Sequence, residues 1–263
     1  MSRIGPMFER LRAESRLGVS MFVTIGYPHK EDTPAIAEAL VRAGTDFIEL
    51  GVPFSDPLAE GRTIQGSSQR ALGNGVTVQV CMETAGEVRA RVDVPLIFMG
   101  YINPILAYGM GRFCADAAAA GVDGLIVADL SMEETEVIHQ ACREAGLDLI
   151  LFIAPTSTEE RMRTVARLAT GFIYCISVTG VTGSRESLPE EVDGMLQRIR
   201  ALTATPLALG FGISKPEHIQ RLKGKVDAAI VGSALVDHIT EEDPAGSAAA
   251  FVTLLRGGAA LGS

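Results

Sequence analysis

Polar and apolar positions recur in blocks along this chain. A segment with helical spacing ends in glycine, an acidic residue follows two or three positions on, and a short apolar run comes next. The stretches Arg42–Gly51, Glu144–Pro155 and Gly224–Ser233 all read this way, and Ala120–Gly124 opens a fourth. Glycine just past a helix takes the left-handed cap conformation without a Cβ penalty. A short, β-branched apolar run suits a strand buried on both faces. Eight strands are predicted on this basis: Val19–Ile25, Asp46–Leu50, Pro95–Gly100, Gly124–Ala128, Leu149–Ile153, Phe172–Ile176, Pro206–Leu209 and Ala228–Val231. Helices are predicted at Thr33–Ala43, Val78–Arg91, Arg112–Ala120, Glu133–Ala145, Glu159–Leu168, Glu190–Leu202, Pro216–Leu222 and Ala245–Leu255.

Strict β-α alternation implies a parallel sheet with right-handed crossovers. Eight units in about 250 residues imply an α/β protein of the closed (β/α)8 TIM-barrel class. The rival is an open doubly wound sheet. It calls for a GxGxxG turn after the first strand, and residues 24–32 do not supply one. The first sixteen residues, charged and amphipathic, are expected to form an extra helix under the barrel floor. No linker or low-complexity stretch interrupts residues 1–263, so a single domain is expected.

Composition narrows the function. The net charge is −9, from 23 basic and 32 acidic side chains, which argues against a nucleic-acid partner. It leaves room for a small anionic ligand held by backbone N–H groups. The four cysteines, Cys81, Cys114, Cys142 and Cys175, show no metal or CxxC spacing and read as buried free thiols. There is no signal-peptide core and no apolar run of membrane-spanning length. A cytoplasmic protein with no membrane partner is therefore expected.

In such barrels the chemistry sits at the C-terminal ends of the strands. Two connections there are long, Gly51–Thr77 and Ser177–Pro189. Gly210-Phe211-Gly212 follows the seventh strand and Gly232-Ser233 the eighth, while Gly180 to Gly183 lie after the sixth. A lone GxG is weak, but glycine motifs after two consecutive strands point to a phosphate site. Glu49 ends the second strand between apolar neighbours, a costly place for a carboxylate without a role or a partner. Both readings, acid–base group and buried salt bridge, stay open at this point. Glu60 and Asp56 in the following loop are further acids, with solvated surface charge and turn former as their plainer readings. Asp129, ending the fourth strand, is another candidate. The four histidines fall in loops or on helices. No pattern proposes a metal, and no strand-end lysine proposes a Schiff base.

The run Ile48-Glu49-Leu50-Gly51-Val52-Pro53-Phe54-Ser55-Asp56-Pro57-Leu58-Ala59 resembles the signature of the tryptophan synthase alpha subunit. Met99–Pro104, Val127–Leu130, Ala154–Thr158, Tyr174 and the three glycine motifs resemble the family's remaining segments, in order and over essentially the whole chain. The resemblance implies retro-aldol cleavage of indole-3-glycerol phosphate to indole and glyceraldehyde 3-phosphate, with no metal and no cofactor. It implies Glu49 as the main acid–base residue and Glu60, where the family has aspartate, as the group that holds the indole N–H. Tyr174 and Thr182 would support these carboxylates. Phe22, Ile64 and Phe211 would enclose the indole, and Gly183, Gly212, Gly232 and Ser233 would bind phosphate. The implied partner is a PLP-dependent beta subunit in an α2β2 complex, met partly through Pro53 and Asp56. The chain departs from the family at Glu60, at Arg62 and at Ser131, the last two standing where proline is usual. A stand-alone indole-producing lyase, a weakly active interaction paralogue and another phosphorylated-substrate barrel enzyme are the alternatives.

Overall fold

The computed structural model describes residues 2–177, 189–210 and 212–257. Eight strands, β1 (Gly18–Thr24), β2 (Phe47–Gly51), β3 (Leu96–Gly100), β4 (Gly124–Val127), β5 (Asp148–Ile153), β6 (Ile173–Ile176), β7 (Leu207–Gly210) and β8 (Ala228–Val231), pair in sequence order into a closed barrel. All pairings are parallel, and β1 closes the ring against β8 through Gly18↔Ala228 and Met21↔Val231. Twelve helices are described: α1 (Ile4–Ala13), α2 (Thr33–Arg42), α3 (Arg62–Gly73), α4 (Val78–Arg89), α5 (Ile102–Tyr108), α6 (Met110–Ala119), α7 (Met132–Ala145), α8 (Glu159–Leu168), α9 (Glu190–Arg200), α10 (Pro216–Leu222), α11 (Ser233–His238) and α12 (Pro244–Leu255).

Each strand divides its side chains by alternation. Met21, Val23, Ile48 and Leu50 face outward and join the apolar residues of the helices in one large cluster. Phe47, Ile97, Ile126, Ile150 and Phe172 fill the barrel interior in a second cluster. The helix α1 seals the floor, as its amphipathic pattern suggests: Ile4, Met7, Phe8 and Leu11 are buried, and the Phe8 ring lies 6.1 Å from Phe47 and 5.9 Å from Phe172.

The glycine–acid rhythm has a structural cause at this floor. Gly44, Gly121 and Gly146 have φ of +107°, +88° and +77°, so they turn the chain out of a helix where a Cβ would be strained. After Gly44, Gly121 and Gly224, the last with φ of +76°, the aspartate that follows clasps the neighbouring strand. Asp46 accepts the Val19 N–H at 2.9 Å, Asp123 the Leu96 N–H at 3.0 Å and Asp227 the Leu207 N–H at 2.8 Å. Each is also held by arginine: Asp46 by Arg16 and Arg256, Asp123 by Arg3 and Arg89, Asp227 by Arg200.

The sequence reading placed β2 one residue early. Asp46 stands just before that strand, where its backbone N–H donates to Val19 O at 2.9 Å and its carboxylate accepts the Val19 N–H in return. Three helices have no counterpart among the predicted ranges: α3, α5 and the short α11. The helix α3 lies inside the long connection after β2, and its buried face is Ile64, Ser67, Ser68 and Ala71, too polar to show an apolar period. The helix α5 carries Pro104 in its first turn, where the missing N–H costs nothing.

Candidate active site

Glu49 is the third residue of β2 and points inward, between the inward-facing Phe47 and Gly51. It is fully buried and has no ion-pair partner among the described residues, so the salt-bridge reading falls away. Its Oε1 accepts a long bond from the Ser20 hydroxyl at 3.5 Å, and its Oε2 finds no partner among the described residues. Burial, joined by repulsion from Glu60, pushes its carboxyl up to about 8. Glu60, half-buried, reaches the same pocket from the loop before α3, and burial pushes it up to about 7. Its backbone is fixed at both ends, the N–H to Pro57 O at 3.0 Å and the carbonyl by Gln65 Nε2 at 3.0 Å. Arg62 is exposed at the first turn of α3 and makes no ion pair with Glu60 among the described contacts.

Tyr174, on the inward face of β6, lines the pocket beside these acids. Burial and the two carboxylates hold its phenol well above the usual range, so it stays a neutral donor. Tyr101 supports the Glu60 loop, since its hydroxyl accepts the Ala59 N–H at 3.2 Å and its ring stacks on Phe54 at 5.1 Å. Phe22 and Ile64 meet with Val236 in a separate apolar cluster, with Met99 packed against it. The Phe22 ring lies directly over Gly51, where any Cβ would strike it. A buried hydroxyl pair, Thr24 Oγ1 to Ser67 Oγ at 2.7 Å, ties α3 to β1 and so fixes Ile64 opposite Phe22.

The cavity enclosed by these groups has a volume of about 340 Å³. Gly212, Gly232 and Ser233 line it, and no lysine or arginine does among the described residues. Because α11 starts at Ser233, its first N–H groups have no partner within the helix and are free to meet an anion. Thr182, Gly183 and Phe211 lie outside the described residues.

Other candidates stand elsewhere. Asp129 is exposed and accepts the Ile102 N–H at 2.8 Å, anchoring the start of α5. Asp56 is exposed at the rim and bonded to Ser55 Oγ at 2.6 Å, while Pro53 is buried. None of the four histidines lines the pocket; His218 receives the Ser214 N–H at 3.2 Å in the loop after β7. Among the described residues no group of acids, histidines and cysteines could hold a metal ion, no helix is long and apolar enough to cross a membrane, and all four cysteines are free and buried. Sequence reasoning missed Ser20, Met99, Tyr101 and Ile213. Met99 was within reach, because alternation along β3 marks it as inward.

A barrel with paired raised carboxylates, an apolar slot and an uncharged glycine-lined end matches the expected family in outline. The family model described as tryptophan synthase alpha chain matches residues 8–256. The chain belongs to the tryptophan synthase alpha chain family. The alpha chain of Roseiflexus castenholzii is 49% identical over 261 residues, covering 98% of this chain and all of that one. The alpha chain of Solibacter usitatus is 49% identical over 254 residues, covering 97% and 94%. Among solved structures, tryptophan synthase subunit alpha from Legionella pneumophila superposes with a TM-score of 0.90 at 33% identity, covering 98% of each chain. This tryptophan synthase alpha chain is a carbon–carbon lyase, the indole-3-glycerol phosphate lyase component of tryptophan synthase, and its partner is the beta subunit. The alternatives of a stand-alone lyase or a weakly active interaction paralogue are not favoured by likeness over the whole length.

Proposed function

We propose that Glu49 carries the proton transfers of this retro-aldol cleavage and that Glu60 stabilises the charge that develops on indole. The observation that carries the reading is the Glu49 carboxyl: fully buried, raised to about 8, with one oxygen unpartnered. At neutral pH it holds a proton, which it can give to the indole ring carbon that bears the glycerol chain. That carbon then has four single bonds and the ring nitrogen becomes positive. The Glu49 carboxylate so formed takes the proton of the adjacent glycerol hydroxyl. The C–C bond breaks, its electron pair returns to the ring and neutralises the nitrogen, and the former hydroxyl carbon leaves as the aldehyde of glyceraldehyde 3-phosphate. Glu49 ends as it began, so no redox or electrophilic cofactor is required by the balance.

Glu60 suits the second role because a carboxylate near the indole N–H favours the cationic intermediate over the neutral ground state. Tyr174 supports both acids as a neutral donor. Phe22 and Ile64 form the described part of the indole slot. Gly212, Gly232 and Ser233, with Gly183, would take the phosphate by backbone N–H, in keeping with a pocket without cations and a chain of net charge −9. Leu58, 90% exposed beside Asp56, supports a rim that a beta subunit covers in an α2β2 complex. PLP belongs to that partner. Four free buried thiols suit the reducing cytoplasm.

The test is release of indole from indole-3-glycerol phosphate, followed with and without a beta subunit. Wild type is expected to release indole, faster with the partner. Glu49→Gln is expected to lose cleavage by at least about 10³-fold while staying folded at neutral pH, with a melting temperature no lower than wild type. Retained cleavage in that variant would sink the assignment of Glu49.

A further inference from the structure

We propose that Ser20 is a positioning residue for Glu49, holding one carboxyl oxygen so that the other stays open to the substrate. The proposal rests on Glu49 acting as set out above. Ser20 lies on β1, fully buried. Its register neighbours across the barrel wall are Phe47 on β2 and Ile230 on β8, both apolar. A hydroxyl in such a setting is costly unless it is bonded. The bond it makes is to Glu49 Oε1, at 3.5 Å. Ser20 and Phe22 sit two residues apart on the inward face of β1, and Phe22 is the register partner of Glu49. The hydroxyl therefore meets the carboxyl from the floor side, while the pocket opens on the other.

This division of the two oxygens sets the carboxyl's rotation. With Oε1 drawn toward Ser20, the unpartnered Oε2 is the one left for the glycerol hydroxyl and the ring carbon. The bond is long for an O–H···O pair, so it restrains the carboxyl without immobilising it. The ionisable groups around Glu49 are Glu60 from the loop before α3 and Tyr174 from β6, and its neighbour on β3 is the apolar Ile97. No cation among the described residues acts on it. Ser20 is thus the one described group whose contact favours the ionised form, opposing burial and Glu60.

Threonine and valine have nearly the same shape, and only threonine keeps the hydroxyl, so Ser20→Thr and Ser20→Val form the test. Two readouts are needed: the 13C NMR titration of the Glu49 carboxyl carbon, assigned by its disappearance in Glu49→Gln, and the pH profile of kcat/KM. In Ser20→Val the Glu49 titration and the alkaline limb are expected to move up by roughly 0.5 in pH, with kcat reduced and KM changed less than about twofold. Ser20→Thr is expected to stay within roughly 0.2 of wild type. Equal titration of Glu49 in the two variants would overturn the proposal, whatever their rates, because a purely structural role moves stability and kcat but not the titration. Should valine prevent folding, Ser20→Ala removes the hydroxyl without adding volume and is read against threonine in the same way. Wild type failing to release indole would refute the lyase reading, and the NMR titration would still decide the Ser20–Glu49 bond.

Discussion

Burial and the neighbouring acid move the Glu49 carboxyl from 4.5 to about 8, and this acts on the fold as well as on the chemistry. Between those values the folded chain keeps a proton that the unfolded chain has released. Stability therefore falls as pH rises through the interval, and the loss is complete above about 8. Glu60, raised from 4.5 to about 7, acts in the same direction over a narrower window. For Glu49 the loss is on the order of 5 kcal/mol. Glutamine keeps the shape and cannot ionise. Glu49→Gln is thus expected to melt like wild type near pH 4 and several degrees above it at pH 9, as thermal unfolding across pH will show. An equal difference at both pH values would mean that ionisation of this group costs the fold nothing. The residue proposed to carry the proton transfers thus weakens the fold at alkaline pH.

Single elements show how far sequence pattern reaches. Ser131, standing where the family usually has proline, begins α7 with a capping box: its hydroxyl accepts the Glu134 N–H at 3.2 Å, and the Glu134 carboxylate accepts the Ser131 N–H at 3.2 Å. The departure thus exchanges a rigid turn for a hydrogen-bonded one. Ser131→Ala is expected to lower stability by about 1 kcal/mol in urea unfolding, with indole release unchanged in the isolated chain. The eight strands and the floor helix were legible because each buries a plain apolar face or run. The helix α3 was not, because Ser67 and Ser68 form its buried side and their partners, such as Thr24, come from a distant strand. In the pocket, Glu49 was legible as an acid among apolar neighbours, and Phe22 and Ile64 through family resemblance. Ser20 was illegible, because a serine within a strand declares its facing partner only when the register between β1 and β2 is known.

At the scale of the whole molecule, the floor carries stability and the opposite face carries chemistry. Asp123 is the clearest case: its two oxygens serve Arg3, Arg89 and the Leu96 N–H, all at 2.9 to 3.1 Å. Asp123→Ala removes the close counter-charge of Arg89, which keeps only the carbonyls of Gly121, Val92 and Val94 as hydrogen-bond partners, and strands the buried Leu96 N–H, and is expected to cost about 3 kcal/mol. Urea unfolding measures that loss, and kcat/KM for indole release is expected to stay within about twofold of wild type. A matching fall in kcat/KM would show that floor and pocket are not separable. The clasp at Asp46 reaches further, since Arg256, 210 residues along the chain, closes on Asp46 and on the Gly44 carbonyl. During synthesis, Glu49 and Glu60 leave the ribosome well before the residues that complete their surroundings: β1 has no β8 beside it until residue 231 is made, and Asp46 lacks Arg256 for longer still. A chain cut short before residue 228 would hold both acids and still lack the strand that closes the wall around them, so the ring closes only once β8 has been made.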